Sequence, residues 1–192
     1  MGNHHLLNLA AAATVFGGAW RTAAHGGVAG WAAATVQVGV AIAFLARSPE
    51  RRAASGQVIA AALPSVVLGA AVFPLGADRP WPWPAASLAA AGAAFTLAAL
   101  VALGRSFAVL PGVRELRSTG PYRLVRHPMY LGELLMVGGA AVRLGPPGGL
   151  LLAGAVAAVA WRVRAEERLW TAEPGWAAWA ESVPWRLVPG VW

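Results

Sequence analysis

The sequence predicts an all-α, polytopic integral membrane protein with about five to six transmembrane helices, the last two forming a short C-terminal helical hairpin. Three observations lead there. Of the 192 residues, 58% are hydrophobic and only 12% are charged, whereas a soluble domain is roughly a quarter charged. Apolar runs recur along the chain, several near the ~20 residues a helix needs to cross a bilayer. The arginines are concentrated in alternate loops, the distribution that orients a membrane protein with its basic loops in the cytoplasm.

The same composition removes several functions. The chain has no cysteine, so it has no disulfide, no thiolate metal site and no cysteine nucleophile; no metal partner is expected. The formal net charge is +7, and every basic residue other than histidine is arginine. In so apolar a chain these arginines read as topology signals and headgroup contacts, so the bilayer, and not nucleic acid, is the expected partner. Met1 to Asn8 lacks the basic start of a secretory signal.

Leu6 to Trp20 is apolar but short, and reads as either a first crossing with a tilted end, the favoured reading, or an interfacial helix. Val28 to Ala46 is a clear span, followed by Arg47, Arg51 and Arg52 in a loop assigned to the cytoplasm. Val58 to Leu75 is the next span; Pro64 and Pro74 kink or end it. Gly76 to Pro84 is too rich in proline to be helical, and its Trp81 and Trp83 suit the far interface. Ala85 to Gly104 is a further span. The following loop carries Arg105, Arg114, Arg117, Arg123 and Arg126, which returns it to the cytoplasmic side. Met129 to Val142 and Leu150 to Trp161 are short apolar helices joined by a turn at Arg143 to Gly149. Glu133, on the first of them, is costly facing lipid and should face the interior. The tryptophan-rich remainder, Leu169 to Trp192, reads as an interfacial cap. Residues 1–104 therefore form a set of N-terminal helices, and 105–192 a polar C-terminal region integrated with them in one domain.

Candidate chemistry is confined to that second region. Gly120-Pro-Tyr-Arg-Leu-Val-Arg-His-Pro-Met-Tyr-Leu-Gly132 holds both tyrosines of the chain, Tyr122 and Tyr130, and the last histidine, His127. Gly120-Pro121 marks a turn. Pro128 disfavours helix at His127 and favours a helix start at its own position. A second group, Arg162-Val-Arg-Ala-Glu-Glu-Arg168, puts Arg162 and Glu166 four apart on one helical face. Taken alone, that pair is an ordinary ion pair at the end of a span and the His-Pro an ordinary turn. In the first spans the visible polar residues are Thr35 and Gln37.

The two groups together, with the short hairpin between them, Val183-Pro184 and Leu187-Val-Pro-Gly190 after them, and Leu103-Gly-Arg-Ser-Phe107 before, resemble the isoprenylcysteine carboxyl methyltransferase family. The related phospholipid methyltransferases share this C-terminal pattern. The resemblance covers roughly residues 100–192. It implies a membrane methyltransferase that uses S-adenosylmethionine on a lipophilic acceptor. The carried-over cofactor positions are Tyr122, His127, Pro128, Met129 and Tyr130, a segment of Arg114, Leu116 and Arg117 closing over them, Arg126 bracing the loop, and Glu166. Arg162 would orient a substrate carboxylate, and Glu166 and Glu167 stand as alternatives for the acidic role. The chain departs from the pattern at Trp176-Ala-Ala-Trp179, where the family often has Tyr-x-x-Tyr, and in a shortened segment after Glu167.

Within this resemblance the expected reaction is carboxyl O-methylation of an isoprenylcysteine-like acceptor, with a phospholipid amine or a small thiol as alternatives. If the acceptor is an amine a base is needed, and Glu133, Glu167 or His127 can serve. Outside it stand an NADPH-dependent membrane reductase and a non-enzymatic scaffold. The chain is expected in a bacterial inner membrane with its site on the cytoplasmic face.

Overall fold

The structure is a computed structural model. It describes residues 27–46, 48, 51–71, 73, 75, 79–107 and 112–192, with single positions at 13, 19 and 23. The expected first crossing, Leu6 to Trp20, lies outside the described residues apart from Ala13 and Ala19.

The described residues are mostly helical. The elements are α1 (Gly27–Ala46), β1 (Arg52–Ala53), α2 (Gly56–Ala71), α3 (Trp83–Leu103), a 3-10 turn at Gly104–Ser106, β2 (Gly112–Val113), a 3-10 turn at Gly120–Arg123, α4 (Pro128–Leu144), α5 (Pro146–Trp170) and α6 (Trp176–Ser182). Three helical segments, Gly27–Ala46, Trp83–Ser106 and Pro146–Trp170, are long and apolar enough to cross a membrane. Their outward faces carry bare apolar side chains such as Trp31, Ile42, Val101, Leu150 and Trp161, the surface a bilayer covers.

Two boundaries differ from the sequence expectation. The second hairpin helix is not short: α5 starts at Pro146, directly after Gly145, and continues through Arg162 to Trp170. Apolar residues stop at Trp161, but Arg, Ala and Glu are good helix formers, so the helix outlasts its hydrophobic run. The loop at 76–84 is also shorter than expected, because α3 begins at Trp83 with Pro84 in its first turn, where a missing N–H costs nothing.

Helix contacts run in the spatial order α1, α3, α4, α5, α2. α3 and α4 approach closely along their length. A Cβ on Gly92 would stand 2.6 Å from the Gly132 carbonyl oxygen. Small residues at such a seam let two membrane helices meet backbone to backbone. This fixes α4, and with it Tyr130 and Glu133, against the bundle. Ala33 and Val36 of α1, Ala93 of α3 and Met136 of α4 form one core cluster. Val137, Ala140 and Leu144 of α4 pack on Ala155 of α5 in another.

The loops gather at two ends. At one, β1 and β2 pair antiparallel, with Arg52 opposite Val113, and Ser48 N and Oγ both donate to the Arg105 carbonyl at 2.9 Å. Arg52 of that loop reaches Glu173 beyond α5 at 2.9 Å. At the other end, Arg143 Nε donates to the Arg79 carbonyl at 2.9 Å, and Arg79 Nη1 to the Leu144 carbonyl at 2.7 Å. The Arg143 guanidinium also lies 4.7 Å from the Trp81 ring centroid. The described residues at 48, 51–56, 105–107 and 112–127 and the segment after 162 thus share one end, and 79–82 and 143–146 the other.

Candidate functional site

The site begins with a local break in the chain. Gly120 takes φ +57°, a value that favours glycine, and opens the 3-10 turn that buries Tyr122. Val125 is buried, and His127 sits at φ −126°, ψ 60° as the residue before α4. Pro128, fully buried, starts the helix. Two residues on, Tyr130 points into the bundle and packs on Val159 and Val163 of α5 and Leu187 of the tail.

Around Tyr130 stands an inner ionic cluster. Its hydroxyl donates to Glu166 Oε1 at 2.6 Å. Arg162 Nε donates to the same oxygen at 2.9 Å, and Arg162 Nη1 donates to Ser65 Oγ on α2 at 3.1 Å. The Arg162 guanidinium lies 4.5 Å from the Tyr130 ring centroid, a cation–π arrangement. Arg162 is buried, and α4, α5 and α2 each supply a wall. Glu133 faces this cluster from α4, within electrostatic reach of Tyr122, Tyr130, Arg162 and Glu166. Burial pushes the Tyr122 phenol well above its ordinary value near 10, and the Glu166 and Glu133 carboxylates add to it. Tyr122 therefore stays a neutral hydroxyl through the physiological range.

The neighbouring carboxylate belongs to a separate, outer cluster. Arg186 Nε donates to Glu167 Oε2 at 2.8 Å. His127 Nε2 is 3.2 Å and Arg126 Nη1 3.3 Å from Glu167 Oε1. The tail is tied along the same turn: Arg126 N donates to the Trp185 carbonyl and His127 N to the Arg186 carbonyl, both at 2.9 Å, and Arg126 Nη2 donates to the Pro184 carbonyl at 2.9 Å. Burial lowers the Arg126 pKa from its ordinary value; Glu167 opposes that shift and Arg186 adds to it. The His127 and Tyr130 rings stack at 5.6 Å between centroids, 7° from parallel, and so join the two clusters.

The structure thus brings together Tyr122, Tyr130, Arg162 and Glu166, with His127, Arg126 and Glu167 immediately beside them. Of the two glutamates left open by the sequence, Glu166 faces Tyr130 and Arg162, and Glu167 faces the loop and tail. Met129 packs between the Phe44–Phe107 cluster and that of Tyr130. The segment assigned to close over the site is anchored elsewhere. Arg114 is buried and donates from Nε to the Ser48 carbonyl at 3.1 Å. Arg117 bonds Ser106 Oγ at 3.2 Å and Glu115 at 2.7 Å, with Leu116 half-buried between them. Ser65 was not singled out by sequence; a hydroxyl directly after Pro64 in an apolar helix was the available signal. Arg186 was also missed, and nothing local in the tail marks it.

The donors of the site could hold a polar, cationic cofactor. A buried carboxylate with a second one in reach suits a cation, the tyrosine hydroxyls suit polar ends, and the stacked His127–Tyr130 pair offers an aromatic face. No group of three or more metal-ligating side chains is found among the described residues. No curated protein and no solved structure matches the chain. Residues 82–174, from the start of α3 to just beyond α5, match the family described as phospholipid methyltransferase. That segment contains the loop before α4, both hairpin helices, and Arg126, His127, Tyr130, Arg162, Glu166 and Glu167; Ser65 and Arg186 lie outside it.

Proposed function

We propose that the protein is a membrane-embedded, S-adenosylmethionine-dependent methyltransferase acting on a lipophilic acceptor, with its site at the cytoplasmic face of a bacterial inner membrane. The observation that carries this reading is the Tyr130–Glu166–Arg162 cluster: it lies within the family-matched segment, at the bundle end that collects the basic loops. When bound, S-adenosylmethionine supplies a methyl group carried on a positively charged sulfur. Tyr122, His127, Tyr130 and Glu166 are the residues that would hold it. The chain's own part is to align the acceptor and to keep water out, which supplies most of the acceleration in a displacement between oppositely charged partners. Buried Val159, Val163 and Leu187 provide the dry wall.

Two acceptor classes follow from the site. Carboxyl O-methylation, as on an isoprenylcysteine-like acceptor, assigns the acceptor carboxylate to Arg162. In the structure Arg162 Nε and Nη1 bond Glu166 and Ser65. An amine acceptor would turn instead to a carboxylate of the cluster, Glu166 or Glu133. The test is incorporation of labelled methyl from S-adenosylmethionine into the lipid extract of membranes containing the protein. Labelled lipid with wild type and none with Glu166→Ala supports the reading; labelling that persists in a folded Glu166→Ala protein contradicts the assigned site. A parallel titration with NADPH separates the reductase alternative.

A further inference from the structure

A set of polar groups without partners lies outside both ionic clusters. Ser118 and Arg123, from the segment that leads through the 3-10 turn, and Trp179, Ser182 and Val183, from α6 and its end, line an open pocket of about 310 Å³. Pockets that hold small ligands run from ~300 to ~1,000 Å³. Tyr122 is buried in the bundle, and its neighbour Arg123 is exposed. Arg123 makes no ion pair or hydrogen bond with any described residue, and neither does the Ser118 hydroxyl. The Trp179 indole N–H is shielded from water and has no hydrogen-bond partner, a costly state for a donor. The Trp179 carbonyl, by contrast, is occupied: Ser182 Oγ donates to it at 2.8 Å and Val183 N at 2.9 Å. Among the described residues no acidic side chain lines the pocket. A permanent cation, an indole that only donates and a hydroxyl able to donate thus border one space. They suit an anion with several acceptor oxygens, and the arginine fork matches phosphate. The pocket lies at the end of the bundle that collects the basic loops. Leu124, next to Arg123, and Trp185, two residues beyond Val183, are bare there. Exposed apolar side chains with a tryptophan at a helix-bundle end mark the level of lipid headgroups.

We propose that this pocket is a phosphate-binding site, in which Arg123 pairs with the anion and the Ser118 hydroxyl and the Trp179 N–H donate to its oxygens. It shares no residue with the cluster around Tyr130 and does not depend on the methyl-transfer reading. The phosphate of a lipid headgroup and that of a free phosphate ester present the same chemistry to these donors.

The experiment titrates the protein, purified in a nonionic detergent, with glycerol phosphate and with dihexanoyl phosphatidic acid, which carry the same phosphate group without and with acyl tails. Calorimetry is run on wild type, Arg123→Gln, Ser118→Ala and Arg51→Gln. Arg51 is an exposed arginine at the same end and controls for the general basic surface. Arg123→Gln should weaken binding about tenfold and Ser118→Ala about fivefold, as expected for a charged and a neutral hydrogen bond. Arg51→Gln should change it by less than about twofold. All four proteins should melt together, because the three substituted side chains are exposed. Binding of glycerol phosphate that weakens in Arg123→Gln identifies phosphate itself as sufficient. Binding of dihexanoyl phosphatidic acid alone, weakened in the same way, identifies a lipid headgroup; either result sustains the site. No binding of either titrant to wild type, or equal weakening in Arg123→Gln and Arg51→Gln, overturns it.

Discussion

Glu166 and Glu167 are neighbours in the chain and head two ionic clusters of opposite design. Consecutive helical residues point about 100° apart, so one turns to the hairpin interior and the other to the loop and tail. In the outer cluster a single carboxylate, Glu167, is surrounded by Arg126, His127 and Arg186. Every acidic oxygen there is occupied, and the result is a clamp that fixes the tail against the His127–Pro128 turn. In the inner cluster Arg162 is, among the described residues, the cation that Glu166, Glu133 and the two tyrosines share. On the proposed reading the difference separates a brace, saturated by its own chain, from a site that a ligand would complete.

Substitutions in both clusters sharpen that contrast. The largest effect is expected from Arg162→Ala, which leaves Glu166 and Glu133 facing each other without a cation. Breaking a buried pair in this way costs about 3–5 kcal/mol, and methyl transfer should vanish along with a clear drop in melting temperature. Arg162→Lys should recover stability more than activity, because a point charge does not reproduce the bonds to Glu166 and Ser65 together. Glu167→Gln comes next and should act differently: a loss on the order of 2 kcal/mol from weakened charged hydrogen bonds, with faster proteolysis at 183–192, but cofactor affinity changed far less than in Glu166→Ala. Equal loss of cofactor affinity in Glu167→Gln and Glu166→Ala would merge the two clusters into one.

Tyr130→Phe keeps the ring beneath Arg162 and removes only the hydroxyl bonded to Glu166. A bond to a charged acceptor of about 1.5 kcal/mol predicts roughly a tenfold weaker cofactor affinity and little change in melting temperature. Tyr122 gives the smallest effect, visible only in alkali. Its folded-state pKa is raised above the unfolded value near 10, so the unfolded chain loses this proton first and stability falls as pH rises above about 10. Tyr122→Phe should melt like wild type at pH 7 relative to pH 8, and lose less stability than wild type between pH 9 and pH 11.

The parts of this arrangement that were readable in the sequence are the ones set by local chemistry. Pro128 forces the turn-to-helix junction, and the spacing of Arg162 and Glu166 puts them on one face. The parts that were not readable depend on which helices become neighbours. Ser65 meets Arg162 across 97 residues of chain, and nothing near Pro64 encodes that contact. Arg186 reaches Glu167 only because the tail folds back along residues 126–127. The length of α5 was misread because hydropathy, which ends at Trp161, was taken as the helix limit, while its charged continuation is helical by propensity. The two-residue pairing of β1 with β2 is too short to leave a periodic signal.

The most direct test of the central claim is calorimetric titration of S-adenosylmethionine into the purified protein in nanodiscs, run on wild type, Glu166→Ala and Glu167→Gln. The account predicts saturable binding to wild type, its loss in Glu166→Ala, and its retention in Glu167→Gln. No binding to wild type, or binding unchanged in a folded Glu166→Ala protein, would contradict it.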